Sequence, residues 1–305
     1  MIHVFILNPT AGSRDFSESL RSKLEEIPDI QYFIFSSGYR GEERELVRRA
    51  LDIFEGEQLR FYICGGTGTL HEAVNGFGDA LGKYPIAFYP CGFSNDFLNN
   101  FGADAARFKD ISELVFGDVI DVDYIKTNHG IAINAFSMGV DTYIIRTFTA
   151  MRPLTAISNT ATIVIAAVRS LFKSRPMDLE VKFDDYRLSE KVSEIFFGNG
   201  ISLGGKIFFE TKPQITDGLA NVCILPPRSP FQLTSYFTYT MKKDMDSLRE
   251  VSDRMFKSRH MTVSTKDGSP LSVNMDGSIY TIFPEYEVEI VPKGLHLIVP
   301  KGVRA

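Results

Sequence analysis

Cysteine is scarce in this chain. The three residues, Cys64, Cys91 and Cys223, are odd in number and lack a CxxC pair. That fits a reducing compartment and argues against a zinc cluster or a disulfide framework. Positive charge is not in excess either: 33 Lys and Arg stand against 38 Asp and Glu, a net charge of −5. The chain as a whole has no electrostatic pull on nucleic acid or anionic lipid, and no nucleic-acid partner is expected. Long apolar runs are missing. The most apolar stretch, Ala161 to Val168, is far shorter than the roughly 20 residues that span a bilayer. The N-terminal Met-Ile-His-Val-Phe-Ile-Leu-Asn-Pro has no basic n-region and no long h-region, so no signal peptide is expected. The expected location is cytoplasmic, with contact at the periphery of a membrane if the protein handles lipid. None of the five histidines stands in a metal or triad spacing, and no internal repeat or low-complexity segment is present.

What is present is ordinary globular composition over 305 residues, 44% apolar and 23% charged. That is enough for a large core and suggests two domains. The first 120 residues alternate strand and helix. His3–Leu7, Tyr32–Phe35, Phe61–Cys64 and Ile86–Tyr89 read as strands. Between them, Phe16, Leu20, Leu24 and Ile27 recur at helical spacing behind an Asp15/Glu18 capping box, and Leu46, Val47, Ala50 and Phe54 share one face of a helix over Glu42–Phe54. Repeated βα units imply a parallel sheet covered on both faces. From about residue 120 the period changes. Thr127-Asn128-His129-Gly130 reads as a hairpin turn, a helical stretch runs from about Thr142 to Phe172, and mostly strands follow. Pro292-Lys293-Gly294 reads as a turn between the last two. The fold class is an α/β N-terminal domain with a parallel sheet, plus a larger antiparallel β-sandwich domain. The expected boundaries are 1–125 for the first and 126–290 for the second, with about 290–305 packing back on the first.

The sharpest local feature is Cys64-Gly65-Gly66-Thr67-Gly68-Thr69-Leu70-His71-Glu72, which follows a strand and opens a helix. Glycines let the backbone approach a ligand closely, and free N–H groups at a helix N-terminus attract phosphate. A plain glycine turn would look the same, so this motif alone is modest evidence. It has company. Asn8-Pro9-Thr10-Ala11-Gly12-Ser13 ends the first strand and Pro90-Cys91-Gly92-Phe93-Ser94-Asn95-Asp96-Phe97 ends the fourth. In an open parallel sheet these strand ends share one edge, where ligands bind.

These residues carry a resemblance to the diacylglycerol kinase catalytic-domain family, soluble bacterial lipid kinases similar to sphingosine and ceramide kinases. Asn8-Pro9-x-x-Gly12 resembles its first motif. Gly65-Gly66-Thr67-Gly68-Thr69 with His71-Glu72-Ala73-Val74-Asn75-Gly76 resembles its Gly-Gly-Asp-Gly-Thr loop and following helix. Pro90-x-Gly92-x-x-Asn95-Asp96-Phe97 resembles its third. Gly198-Asn199-Gly200, Gly204-Gly205, Pro213 and Asp217-Gly218-Leu219 follow its middle pattern. Asn274-Met275-Asp276-Gly277 resembles its final Asp-Gly-Glu motif. The resemblance implies a nucleotide-like (NAD-kinase/diacylglycerol-kinase-like) first domain, with the active site in the cleft between the two domains. It implies ATP held by Asn8, Ser37, Gly65, Gly66, Thr67, Gly68, Thr69 and Glu72. It implies Mg²⁺ on Asp217 with the carbonyls of Ala220 and Val222; read without the family, Asp217-Gly218 is only a turn before a strand.

Three positions depart from the family. Thr67 replaces the Asp of the nucleotide loop. Ser278 stands where the family has the Glu that takes the proton from the lipid hydroxyl. Phe93 stands where a Thr is usual. Losing a general base typically costs about 10²–10⁴ in rate. The catalytic candidates are therefore Asp276, Ser278 at the base position, and Asp96, with Glu72 and Glu210 as further stand-in carboxylates. The expected activity is transfer of a phosphoryl group from ATP, with Mg²⁺, to a lipid hydroxyl such as that of diacylglycerol. The alternatives are a catalytically degenerate nucleotide- or lipid-binding regulator, and an NAD kinase. The expected partners are ATP and a lipid substrate at a membrane surface, with a homodimer as one permitted assembly. Ile144 to Phe172 carries apolar residues among Arg146, Arg152, Arg169, Lys173 and Arg175. It reads first as a core-facing helix and second as a membrane-touching one. His71 reads as an ordinary surface histidine.

Overall fold

The computed structural model describes the chain apart from residues 13, 14, 93, 152–158, 253 and 305; of 159 and 160 it describes the backbone only. The chain divides into two compact units. The first comprises Met1–Tyr124, Pro213–Asp217 and Val291–Ala305; the second comprises Ile125–Lys212 and Gly218–Ile290.

The first unit begins β1 (Ile2–Leu7), α1 (Ser17–Glu25), β2 (Gln31–Ser36), α2 (Glu43–Ile53), β3 (Leu59–Gly65), α3 (Thr67–Phe77) and β4 (Ile86–Pro90). A run of 3-10 turns over Asp96–Lys109, broken at Gly102, leads to α4 (Ile111–Val115) and β5 (Asp118–Thr127). Strand β1 pairs in parallel with β2 and β3, and β3 with β4. Both β1 and β4 are buried along their whole length, as their unbroken apolar sequences require of a sheet covered on two faces. Leu46, Val47 and Ala50 are the buried stripe of α2, and Leu20 and Leu24 that of α1. The Asp15/Glu18 box does not form. Helix α1 has no side-chain cap; Asp15 instead closes a local turn, accepting from the N–H and hydroxyl of Ser17.

The second unit contains β6 (Gly130–Ala132), β7 (Ala135–Gly139), α5 (Val140–Met151), α6 (Asn159–Lys173), β8 (Met177–Phe183), β9 (Arg187–Val192), β10 (Glu194–Gly198), β11 (Ser202–Leu203), β12 (Ile207–Phe208) and β13 (Ala220–Leu225). Then come α7 (Pro230–Lys242), α8 (Met245–Ser252), β14 (Arg254–Ser258), β15 (His260–Thr265), β16 (Ser272–Met275), β17 (Ser278–Thr281) and β18 (Glu285–Val299), which passes into the first unit from Val291 onward. This unit is an antiparallel β-sandwich. One sheet runs β14-β13-β10-β7-β16-β17; the other pairs β18 with β15, β15 with β8 and β8 with β9. Phe136, Met138, Val181, Phe197, Val222, Val263 and Tyr286 belong to the core between them. A second core lies on the helix side, where Phe196, Cys223 and Leu225 cluster with Ile144, Ala166, Tyr236 and Leu248.

Two further sequence expectations change. The single helix expected over 142–172 is two, α5 and α6; Arg152, Leu154 and Ile157 lie outside the described residues, as do Ser13 and Phe93 of the loop motifs. The turn expected at Pro292-Lys293-Gly294 is a local kink inside one strand. Lys293 takes φ 51° and its N–H donates to Asp123 Oδ1 at 2.7 Å, while the Asp123 N–H donates to the Ile215 carbonyl at 2.8 Å. Fully buried Asp123 thus ties three chain segments into the first unit. Beyond the kink, β18 pairs in parallel with β4, Leu297 beside Ile86.

Candidate functional site

Three loops follow β1, β3 and β4 at the carboxyl edge of the first unit's sheet, and the structure knits them together. The Asn8 N–H donates to the Cys64 carbonyl at 3.0 Å, and Asn8 Nδ2 donates to Thr69 Oγ1 at 3.0 Å. The N–H groups of Cys91 and Gly92 both donate to the Gly65 carbonyl, at 2.8 and 3.0 Å. Gly66 and Gly92 lie back to back: a Cβ on Gly92 would sit 2.2 Å from Gly66 Cα. One on Gly12 would sit 2.3 Å from the Cys91 carbonyl oxygen, and Gly12 has φ +87°. These glycines are required by close approach of backbones.

Helix α3 begins at this junction. Its N-cap, Gly66, is extended and supplies no side-chain cap. An uncapped N-terminus leaves N–H groups and the positive end of the helix dipole to a ligand. A Cβ on Gly68 would meet nothing within 4 Å, so the first turn is open at this position, while Thr67, Thr69 and Leu70 are buried. Thr69 adds a hydroxyl. The donor set, together with an approach that glycine leaves clear, fits the phosphates of ATP.

Thr67 bonds to the loop that follows β4. Its Oγ1 donates to the Ser94 carbonyl at 2.9 Å and accepts the Asp96 N–H at 3.2 Å, while its own N–H also donates to that carbonyl at 2.9 Å. An Asp could accept from Asp96 but could not donate to Ser94. Here the residue serves as a clasp between two loops.

The stand-in carboxylates are each engaged. Asp96 accepts the Ser94 hydroxyl. Glu72 pairs with Arg44 at 3.1 Å. Glu210 folds over its own turn and accepts the N–H groups of Thr211 and Lys212, at 2.7 and 3.2 Å. Ser37 is buried and gives its hydroxyl to Glu43 at 3.0 Å, so it braces the loop after β2. Buried Glu43 was not singled out in the sequence, where it reads as an ordinary helix-face acid. His71 is buried, not a surface residue, because its helix packs its first turns into the first unit.

In the second unit, Asp276 and Gly277 form the two-residue loop joining β16 to β17. Their φ angles, 49° and 85°, and the pairing of Met275 with Ser278 make it a type I′ turn. The Asp276 carboxylate accepts three backbone N–H groups, from Ile133 at 2.7 Å and from Asn134 and Ala135 at 2.9 Å each. It braces the chain between β6 and β7. Ser278 is buried at the first position of β17.

Behind the turn lies a polar cluster that sequence spacing could not reveal. Asn274 accepts the Gly277 N–H at 2.7 Å and donates to Ser137 Oγ and Asp141 Oδ2, both at 3.0 Å. Ser137 also donates to Asp141. Glu194 lies near Asp141 and receives the Tyr236 hydroxyl at 3.3 Å. Burial raises the pKa of Asp141, and raises that of Glu194 well above the usual carboxylate range, with the Asp141 charge adding to the latter.

The residues expected to hold Mg²⁺ do not make a convincing ligand set. Val222 sits inside β13, in register with Phe197 on one side and Phe256 on the other, so its carbonyl faces a paired strand. Ala220 is likewise paired, with Ser258. Among the described residues no group of three or more His, Cys, Asp and Glu side chains could hold a metal ion. Asp217 is the single carboxylate of the set.

The sequence matches the family model "Diacylglycerol kinase catalytic domain" over residues 3–127 and "YegS C-terminal NAD kinase beta sandwich-like domain" over residues 134–299. The chain belongs to the family that joins a diacylglycerol kinase catalytic domain to a YegS C-terminal NAD kinase beta sandwich-like domain. A Staphylococcus aureus protein named "Putative lipid kinase" is 25% identical over 239 residues, covering 78% of this chain and 76% of its own. Two Bacillus anthracis crystal structures share the fold. One, described as a "putative diacylglycerol kinase", has TM-score 0.72 at 18% identity and covers 99% of this chain and 96% of its own. The other, described as a diacylglycerol kinase, has TM-score 0.68 at 18% identity over 99% and 98%. Among the described residues no helix is long and apolar enough to cross a membrane.

Proposed function

We propose that this family member binds ATP at the three-loop edge of its first unit and transfers the γ-phosphoryl group to the hydroxyl of a lipid such as diacylglycerol. The observation that carries the reading is the open, uncapped first turn of α3, held by Asn8, Thr67 and the Gly66/Gly92 contact. ATP with its bound Mg²⁺ supplies the phosphoryl group and the charge that offsets it. The chain's own part is positioning: N–H groups of α3 and the Thr69 hydroxyl hold phosphate oxygens, and the glycines keep side chains out of the way. Phosphoryl transfer rests mainly on such positioning and electrostatics. With Ser278 at the family's base position, proton removal is left to water or to the departing phosphate. We therefore expect slow turnover, roughly 10²–10⁴ below that of an enzyme with a carboxylate there.

A second reading, a nucleotide- or lipid-binding regulator without turnover, draws on the engagement of Glu72, Asp96, Asp276 and Glu210 in other bonds. Transfer of labelled phosphate from Mg-ATP to a total lipid extract separates the two. Slow labelling by the natural chain, accelerated in Ser278→Glu, supports the kinase. Labelling by Ser278→Glu alone supports the regulator. Labelling of NAD but of no lipid would overturn the lipid assignment.

A further inference from the structure

The packing of β7, β10 and α5 brings two acids together. Gly139 and Glu194 are opposite residues of paired strands, so close that a Cβ on Gly139 would lie 2.8 Å from Glu194 Cα. Asp141 follows two residues on, in the first turn of α5. Both acids are buried, Asp141 to 3% and Glu194 to 1% exposure. Donors meet one oxygen of each and leave the other bare. Asp141 Oδ2 receives the Ser137 hydroxyl and Asn274 Nδ2, and Glu194 Oε1 receives the Tyr236 hydroxyl at 3.3 Å. Asp141 Oδ1 and Glu194 Oε2 have no hydrogen-bond partner.

Two ionised carboxylates with bare oxygens in a core would be costly. No basic side chain relieves them. The titratable groups acting on Glu194 are Asp141 and Tyr236, with Cys223 beside Tyr236, and none is a cation. A metal lacks a ligand set: among the described residues no group of three or more His, Cys, Asp and Glu could hold one. A proton on Glu194 Oε2 removes one of the two charges and turns that bare acceptor into a donor for its neighbour. Asp141 is the better of the two to stay ionised. It has two side-chain donors and lies at the positive end of α5, whereas Glu194 has the Tyr236 hydroxyl. Burial and the Asp141 charge both favour the protonated form of Glu194.

We propose that Asp141 and Glu194 form an acid pair sharing one proton, held on Glu194, and that this pair positions the Asp276-Gly277 turn. The link is Asn274. Asp141 and Ser137 take both bonds of its Nδ2, which turns its Oδ1 toward the Gly277 N–H at 2.7 Å, one residue before Ser278. Asp141 is thus a positioning residue, and the proton on Glu194 keeps the pair at a single charge. Loss of that proton as pH rises puts a second charge into the core and slackens the hold on the turn. This deepens the phosphotransfer reading, on which the pair's purpose rests, by making transfer fall at alkaline pH.

Infrared spectroscopy of the full chain reads the proton directly, without ATP or lipid. At neutral pH wild type should show a protonated-carboxyl band that Glu194→Gln abolishes. Asp141→Asn removes the neighbouring charge, so the pH at which the band disappears should fall by about one unit or more. In protein labelled with nitrogen-15 glycine, the Gly277 amide resonance should titrate with the band in wild type and hold still in Glu194→Gln. Transfer of labelled phosphate to lipid should decline through the same midpoint in wild type and not in Glu194→Gln. Wild type without the band at neutral pH, or a band that survives in Glu194→Gln, overturns the proposal. So does a Gly277 amide indifferent to the titration. A band abolished at neutral pH by added Mg²⁺ or Ca²⁺ would put a cation in the proton's place and overturn it too. Should Glu194→Gln fail to fold, the shift in Asp141→Asn decides, and an unmoved midpoint there overturns the pair. Band and amide responses without lipid labelling by any variant leave the acid pair standing and remove the kinase reading.

Discussion

Asn8 and Thr69 meet across 3.0 Å although 61 residues separate them. The orientation of the Asn8 amide follows from its other contacts. Its Oδ1 accepts both the N–H and the hydroxyl of Thr10, at 3.1 and 2.9 Å, so Nδ2 must face Thr69. The amide thus holds the first loop and Thr69 in one arrangement. Asn8→Asp is nearly isosteric and keeps the Thr10 turn, but it removes the donor and adds negative charge beside the expected phosphates. We expect a normal fold and ATP binding weakened about tenfold, the scale of one charge-assisted hydrogen bond. Calorimetric titration of ATP checks this; unchanged affinity would detach Asn8 from the nucleotide.

The glycines of the three-loop edge separate into two kinds, and each predicts a different failure. A Cβ at Gly92 collides with the Gly66 backbone, whereas a Cβ at Gly68 meets nothing within 4 Å. Gly92→Ala should destabilise the first unit by about 1–3 kcal/mol or more, as overpacking does. Gly68→Ala lies in the first turn of a helix and should be neutral or slightly stabilising, by up to about 1 kcal/mol. Its methyl group would nonetheless occupy the space over the open turn. Full melting stability with lost ATP binding in Gly68→Ala, measured on the same sample, is the expected result. Retained binding would place the phosphates elsewhere.

Asp276 is expected to act through structure. Its two oxygens serve three N–H donors, and an Asn would turn an NH₂ group toward at least one of them. Asn tolerates positive φ, so backbone strain adds little. Asp276→Asn should therefore lower stability by about 1–3 kcal/mol, the cost of a buried donor left without its acceptor. Denaturant unfolding measures it. Unchanged stability with abolished phosphate transfer would instead make the carboxylate catalytic.

Much of this was legible before the structure, and the reasons differ by element. The parallel sheet was readable because buried strands such as Ile2–Leu7 are unbroken apolar runs ending in Asn-Pro or Gly-Gly. The three loops were readable because strand ends in such a sheet share an edge. Helix α7 was missed although its signal was present: Ser229, Pro230 and Gln232 form a capping box with proline in the first turn. The Asp276-Gly277 pair was read as a motif, yet it is also the sequence signature of the two-residue hairpin it forms. What spacing could not show were long-range polar contacts. Nothing in the sequence places Asp141 beside Asn274, 133 residues away, or Glu194 under Tyr236. Nor does it show that Thr67 would clasp Ser94 and Asp96.

The buried acids of the second unit make its stability depend on pH. Burial raises the pKa of Asp141 and Glu194 above their unfolded values, first by desolvation and, for Glu194, also through the nearby Asp141 charge. The folded state therefore holds protons that the unfolded chain releases. Their contribution is fully present below the unfolded values, near 3.8 and 4.5, and declines as pH rises toward the folded ones. Glu194→Gln keeps an acceptor for the Tyr236 hydroxyl and removes one of the two groups. It should match wild type near pH 4 and become progressively more stable than wild type at higher pH. The limiting gain is about 1.4 kcal/mol per pH unit until the folded pKa is passed. Melting temperatures of the two proteins across pH 4–9 supply the test. Curves that stay parallel would mean that Glu194 binds its proton equally in the folded and unfolded states, and would overturn the raised pKa.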